Sequence, residues 1–446
     1  MSVYDNYTLY PTLWNSSFPS HWKVLPLYAL AKEKSICNCT DLELLSVYLD
    51  AGVIPFSKKA ERRTNVTSSD LSKYQHVDYG DFVLNNQQAW RGSVGVSFYT
   101  GIVSPAYIVL TMNNKLDSRF ANYILRSTIM VDQYLINSNG IGSIQRNIHW
   151  AELKRISVPV PPNDEQDQIV RFLDWKVSEI NRLINIKKKE ILRLEELKKA
   201  VVSHAVTRGL DSSVQMKDSG VNWLGKIPAH WNINKLRQLL HPVSIKNRPD
   251  LPLLSVVREQ GVIIRDVEDK EANHNFIPDD LSNYKMVCKG QFAMNKMKAW
   301  QGSYGISPYT GIVSPAYFIF DIDFENLEYF HYAIRSKVYV NFFAQSSDGI
   351  RVGQWDLQMD KMKEIPFFVP PAEEQKAIVN YIKAAIQQYE EAISKLTEQI
   401  EHLHELKSRL ISDVVTGKID VRGIEIPEYT VEKMENFEAE KQEYEE

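Results

Sequence analysis

The chain has 446 residues, with 52 Lys and Arg against 56 Asp and Glu for a formal net charge of −4. This excludes a simple polycation that coats nucleic acid and leaves room for two or three domains. Hydrophobic residues make up 44% of the chain, enough for well-packed cores. No apolar run approaches the roughly 18 residues of a membrane span, and three cysteines exclude a disulfide framework and suit a reducing compartment.

In chain order, the opening MSVYDNYTLYPTLWNSSF has neither a basic start nor an apolar core, so it does not read as a secretory signal. Cys37-Asn38-Cys39 has no matching Cys/His pair and reads as plain thiols. Residues 15–160 alternate short apolar stretches rich in Val, Ile, Tyr and Phe with Gly, Pro, Asn and Asp, a strand-and-turn pattern. YIVL at 107–110 is a strand candidate, and NYILRSTIMVDQYL predicts a short helix. After Pro161-Pro162 the punctuation stops, because 163–206 contains neither Gly nor Pro. The prolines suit a helix start, and Asn163 with Gln166 resembles a capping box.

The whole pattern then recurs. AWRGSVGVSFYTGIVSPAY at 89–107 returns as AWQGSYGISPYTGIVSPAY at 299–317, identical at fifteen of nineteen positions. Pro19, His21 and Trp22 return as Pro228, His230 and Trp231, LELLSVYLDAGVI as LPLLSVVREQGVI, VPPNDEQDQIV as VPPAEEQKAIV, and ELKKAVVSHAVT as ELKSRLISDVVT. The offset stays at 209 or 210. Each repeat far exceeds a solenoid unit, so the chain is a tandem pair of α+β domains, each followed by a long helix. The last stretch is acidic. From Val421 to Glu446 there are nine Glu and three Lys or Arg, a net of −6 that leaves +2 on residues 1–420. The tail EKMENFEAEKQEYEE reads as a solvated end.

A seven-residue frame fits both helices. Its a and d positions include Val177, Ile180, Ile184, Ile191 and Leu194 in the first, and Ile386, Ile393, Leu396, Ile400 and Leu403 in the second. Seventeen of the twenty seam positions are apolar or aromatic, the exceptions being Lys187, Lys198 and Lys407. This is coiled-coil patterning. A helix of about 43 residues is roughly 65 Å long. Pairing the two stripes buries them at least cost. A parallel pairing would stretch the link of about 17 residues near its limit of about 60 Å. The expectation is therefore an antiparallel pair with the globular domains at opposite ends; the alternative is two helices packed separately on their own domains.

No catalytic constellation stands out: the sequence has no Walker A loop, GxGxxG, GxSxG or Asn-Pro-Pro-Tyr. Two similar heads suit a polymer of repeating geometry, and DNA fits. Trp90, Tyr99 and the Ser93 hydroxyl offer stacking and hydrogen bonds, and Gly92, Gly95 and Gly101 would allow close backbone approach. Arg91 suits guanine, while Gln301 in the same slot suits adenine. Asn86 and Gln88 face Lys296 and Lys298 in the other copy, and Trp300, Ser303, Tyr304 and Tyr309 complete the candidate DNA-contacting set. Residues identical in both copies read as scaffold, so discrimination belongs where the copies differ. A two-headed scaffold for protein partners, without sequence-specific DNA binding, is the rival reading.

Over residues 15–423 the chain resembles the specificity subunits of type I restriction–modification systems. The resemblance rests on the His-Trp pair of each module, GIVSPAY, the two VPPxxEQ helix openings, the closing phrases VSHAVTRGLD and ISDVVTGKID, and MKDSGVNWLGKIPAHW at 216–231. It implies target-recognition domains at 1–160 and 224–369, spacer helices at 161–207 and 370–416, a linker at 208–223 and a C-terminal segment at 417–446. It also implies a non-catalytic subunit, acting in a prokaryotic cytoplasm and away from membranes, that reads a bipartite target in double-stranded DNA. Two methyltransferase subunits, and restriction subunits where present, would be its partners. No cofactor would bind this chain; S-adenosylmethionine, ATP and Mg would belong to the partners.

Overall fold

The computed structural model describes residues 3–10, 16–49, 51–58, 70–141, 145–265, 277–278, 280–349 and 355–433. The chain divides into two compact units. Among the described residues, one lies within Met1–Ile186 and Glu398–Glu435 and the other within Lys187–Thr397. Each unit therefore combines one globular head with part of both long helices.

The first head is built on a four-stranded antiparallel sheet in the order Ala31–Lys34, Tyr107–Met112, Phe82–Asn85, Val94–Val96. Strand alternation gives the sheet two apolar faces. Phe82, Leu84 and Leu110 point into a core with two helices, α1 (Ser118–Leu125) and α2 (Thr128–Ile136), through Phe120, Ile124 and Tyr134. Val83 and Val109 point the other way, onto Leu45, Val47 and Val53 of the hairpin formed by Leu45–Tyr48 and Gly52–Pro55. The single helix expected at 122–135 is thus two. Ser127 is extended (φ −68°, ψ 156°) and breaks it, with its hydroxyl donating to the Ile124 carbonyl at 2.6 Å.

The second head repeats this order with Leu240–Val243, Tyr317–Ile322, Phe292–Asn295 and Tyr304–Ile306. The long helix α3 (Asn163–Arg208, 46 residues) separates the two heads in sequence. Helices α4 (Leu327–Arg335) and α5 (Lys337–Gln345) break at Ser336, as α1 and α2 do at Ser127. Even the N-terminal copy, whose sequence match is weakest, forms the same kind of hairpin: Tyr7–Tyr10 pairs with Ser16–Pro19, as Met216–Asp218 pairs with Lys226–Pro228.

The second long helix is α6 (Ala372–Val415, 44 residues). Both long helices stop at a glycine with positive φ, Gly209 (71°) and Gly417 (70°), the left-handed C′ position that ends many helices. The two helices pair antiparallel, as is visible within each unit. In the first, Ile180 and Ile184 share a core with Ile400, Leu403 and Leu410, and Lys407 Nζ donates to Asn181 Oδ1 at 3.2 Å. In the second, Ala205 and Val206 pack with Ile378, Val379 and Ile382, Ile386 packs against that cluster, and Lys198 Nζ reaches Glu390 Oε1 at 3.4 Å. Lys198 and Lys407 occupy equivalent a positions, and their partners are equivalent too. Polar a residues of this kind fix register at some cost in stability. Of the remaining seam residues, Val177, Ile191, Leu194, Ile393 and Leu396 are half-buried.

The motifs at the two helix starts have a common explanation. In the first unit the Glu165 carboxylate, 4% exposed, accepts hydrogen bonds from Tyr4 Oη at 2.5 Å and Trp22 Nε1 at 2.9 Å, and lies 2.7 Å from His21 Nε2. In the second, Glu374 accepts from Trp231 Nε1 at 3.1 Å and lies 2.7 Å from His230 Nε2. An acidic group in the first turn also favours the helix dipole. The end of the opposite helix arrives at the same place: a Cβ on Gly417 would meet Pro19 Cδ at 2.4 Å, and one on Gly209 would meet Glu374 Oε1 at 2.8 Å. Gln166 does not complete the expected capping box. Its Oε1 accepts from the Asp117 amide at 2.8 Å and its Nε2 donates to the Pro161 carbonyl at 2.9 Å, so it ties the helix to the head.

The segment after α6 lies along α3. Gln168, Ser178, Asn181 and Asn185 donate to the carbonyls of Val421 and Ile424, Thr430, Glu432 and Lys433 at 2.7–3.0 Å. Solvation of the acidic tail was expected from 432 onward; residues 434–446 lie outside the described residues.

Because Glu165 is buried among three donors while Glu374 is more open, Glu165→Ala is expected to cost about 2–3 kcal/mol in urea unfolding, and Glu374→Ala clearly less. Equal losses would mean that the burial difference carries no energetic weight.

Candidate nucleic-acid interface

In each head the near-identical segment leaves the sheet, makes one turn and re-enters it. Asn85 Oδ1 accepts from the Gln87 amide at 3.1 Å, a single 3-10 turn spans Ala89–Arg91, and Gly92 closes it at φ 98°. The second head repeats this with Asn295 and Met297 at 3.1 Å and Gly302 at φ 92°. Trp90 Nε1 donates to the Gln87 carbonyl at 3.0 Å, and the Arg91 guanidinium stacks over the Trp90 ring at 4.6 Å. Trp300 Nε1 donates to the Met297 carbonyl at 3.2 Å, while Trp355 lies against its ring at 5.0 Å. Each indole is therefore held by its edge on a fixed loop.

The glycines of this segment serve the fold rather than approach to a ligand. A Cβ on Gly95 would lie 3.2 Å from Gly52 Cα, and one on Gly101 would lie 2.4 Å from the Glu43 carbonyl oxygen. Gly311 is equally close to Pro252, at 2.5 Å. These glycines let the hairpin dock on the sheet.

The structure separates the candidate residues. Ser93, Ser303 and Tyr304 are buried, which corrects their assignment to the DNA-contacting set. The Ser93 hydroxyl donates to the Val47 carbonyl at 3.1 Å, and Tyr304 packs between Phe292 and Phe343, its phenol pushed above its ordinary pKa by burial. Arg91, Lys298 and Tyr309 are exposed, whereas Asn86, Gln88, Trp90, Tyr99, Lys296, Trp300 and Gln301 are half-buried. Lys58 Nζ sits 5.0 Å from the Tyr99 ring centre, and Tyr79 with Phe98 forms an exposed aromatic pair at 5.6 Å.

Sequence reasoning missed a concave surface beside this loop. In the first head an open pocket of about 380 Å³ is lined by Cys37, Gln75, Asn86, Tyr107, His149 and Trp150 among others. The Asn86 side-chain oxygen is buried there and takes no hydrogen bond among the described residues. Buried acceptors are normally satisfied, so this one is suited to a donor from outside. The available signal was which lining positions change between copies: Cys37, Gln75 and Asn86 become Lys246, Lys285 and Lys296. Among the described residues, no group of His, Cys, Asp and Glu could hold a metal ion, and no helix is long and apolar enough to cross a membrane.

The family described as Type I restriction modification DNA specificity domain matches residues 34–196. The putative type I restriction enzyme MjaX specificity subunit of Methanocaldococcus jannaschii is 25% identical over 378 residues, 80% of this chain and 82% of that protein. The MjaVIII specificity subunit of the same organism is 24% identical over 438 residues, 91% of this chain and 95% of its own length. Among solved structures, a chain from a type I R-M system assembly covers 90% of this chain and 99% of its own with a TM-score of 0.60 at 13% identity, which shows a shared fold. Over most of its length the chain is similar to type I restriction–modification specificity subunits, and its first half carries the match to their DNA specificity domain. Such subunits are the non-catalytic, DNA-recognising members of their systems.

The two equivalent glycines under the hairpins, Gly101 and Gly311, leave no room for added volume. Gly101→Ala and Gly311→Ala should each cost about 1–3 kcal/mol through overpacking, read as a lower midpoint in thermal unfolding. An unchanged midpoint would mean that the hairpin docks elsewhere.

Proposed function

We propose that this specificity subunit supplies the address of a methylation and restriction complex and leaves the chemistry to its partners. The heads at 1–160 and 224–369 would each read part of a bipartite duplex target, and the helices at 161–207 and 370–416 would form the spacer that sets the unread gap. Asn86, Gln88, Trp90, Arg91 and Tyr99 would serve the first head, and Lys296, Lys298, Trp300, Gln301 and Tyr309 the second. Arg91 is a forked donor suited to guanine O6 and N7, and Gln301 can accept from adenine N6 and donate to N7 on its major-groove edge. Two methyltransferase subunits would bring S-adenosylmethionine, and restriction subunits ATP and Mg, in a prokaryotic cytoplasm.

The observation that carries this reading is the pair of heads with one strand order and different accessible side chains on the same loop. One frame presented twice, with different tips, fits two short sequences read by one chain. Most of the affinity would come from phosphate contacts, and discrimination from base edges.

Methylome sequencing of the host with and without this chain tests the proposal. A split, adenine-containing motif should disappear on deletion; loss of a continuous motif would argue against two readers. Gel shifts with a modification subunit that show no sequence selectivity would favour the protein-scaffold reading. The helical pair has its own test. Ile184→Asp combined with Ile393→Asp places charge in the seam and should abolish methylation by the reconstituted complex while near-ultraviolet circular dichroism of the heads persists. Full methylation by that variant would remove the spacer role.

A further inference from the structure

Three residues that line the concave surface of the first head have backbone equivalents in the second, with different side-chain chemistry. In the first head Gln75 Nε2 donates to the Tyr107 carbonyl at 2.5 Å; in the second Lys285 Nζ donates to the equivalent Tyr317 carbonyl at 2.7 Å. The Asn86 carbonyl accepts from the Ile148 amide at 3.1 Å, and the Lys296 carbonyl from the Leu357 amide at 3.0 Å. Cys37 and Lys246 each precede an asparagine with positive φ, Asn38 (68°) and Asn247 (65°). The amides of these asparagines donate to Ser72 and Ser282 respectively. Three slots are therefore superposable, and all three change from an uncharged side chain to lysine.

Gathering three ammonium groups on one surface is unfavourable unless an anion meets them. Lys285 shows the strain: burial first, then the charges of Lys246 and Lys296, hold its pKa below the ordinary lysine range. Lys296 has one acid, Asp356 at 3.1 Å, while Lys246 stands exposed. Lys285 is fixed by its carbonyl contact and lies 5.8 Å from the Phe318 ring centre, so its charge is preorganised rather than free to swing into solvent.

We infer that Lys246, Lys285 and Lys296 form a phosphate-holding site for the DNA backbone in the second head, and that the first head, with Cys37, Gln75 and Asn86 in those slots, lacks it. This rests on the DNA-specificity reading and deepens it. The electrostatic share of binding is unequal between the heads: the second grips the backbone with three lysines, while in the first those three slots are uncharged and the charges lining the surface, Glu33 and Lys73, are of opposite sign.

The test uses the full chain in its complex with modification subunits. Affinity for a duplex carrying the motif found by methylome sequencing, and for a scrambled duplex, is measured from low to high KCl. The variants replace second-head residues with first-head or neutral ones: Lys285→Gln, Lys296→Asn and Lys246→Gln, singly and together. Each phosphate contact contributes about 0.9 to the slope of log affinity against log salt. The triple variant should therefore flatten the slope by about 2–3 and weaken both duplexes alike at low salt. Gln75→Lys should steepen it by about 1. If the triple variant does not fold, exposed Lys246→Gln alone decides, with a flattening of about 1 expected. An unchanged slope in a folded variant overturns the inference. So does loss of discrimination without a change in slope, which would make these residues base readers. Failure of the unaltered complex to prefer its motif over the scrambled duplex would instead sink the specificity reading, and the slope comparison would still judge the lysines.

Discussion

Everything in each unit leans on one carboxylate. Glu165 in the first unit and Glu374 in the second sit in the first turn of a long helix and take the indole N–H of a His-Trp pair. The same point receives the glycine that ends the other long helix. Three stretches far apart in sequence thus meet at a single acidic group. A buried carboxylate is costly unless fully hydrogen-bonded, and here the donors are supplied by the chain that has to be held. The contact is an anchor because removing either side leaves the other unsatisfied.

The helical pair adds register to that anchorage. Its seam is mostly apolar, but two equivalent a positions carry lysines that reach polar partners on the opposite helix, Asn181 and Glu390. Apolar residues alone permit sliding by a heptad; a polar contact at a fixed place does not. The duplicated chain has kept this device in both copies, so each unit fixes its own part of the pairing. The C-terminal segment reinforces the first unit, with Gln168, Ser178, Asn181 and Asn185 of α3 all bonded to its carbonyls.

Duplication also explains where the two heads differ. Positions that lie against another backbone are kept, as Gly101 and Gly311 lie against a carbonyl and cannot accept a Cβ, while core side chains exchange one apolar or aromatic type for another, Val94 for Tyr304 and Leu84 for Met294. Positions on the concave surface and the loop tip have changed freely, Asn86 to Lys296 and Arg91 to Gln301 among them. Packing restrains the core and the glycines, and it does not hold the loop tip to one residue type.

The sequence by itself determined the tandem repeat, the α+β heads, the two long helices, their apolar seams and the antiparallel pairing, because all of these are written in local periodicity, chain length and glycine or proline punctuation. It did not distinguish a residue that packs from one that faces outward. Ser93, Ser303 and Tyr304 looked like surface chemistry and are interior, and the segment's glycines looked open to a ligand and are closed by a hairpin. Burial depends on which distant stretch folds over a residue, and nothing in its neighbours records that. The carboxylate junction, the C-terminal segment along α3 and the clustering of Lys246, Lys285 and Lys296 were likewise decided only in three dimensions, where residues tens to hundreds of positions apart share one surface.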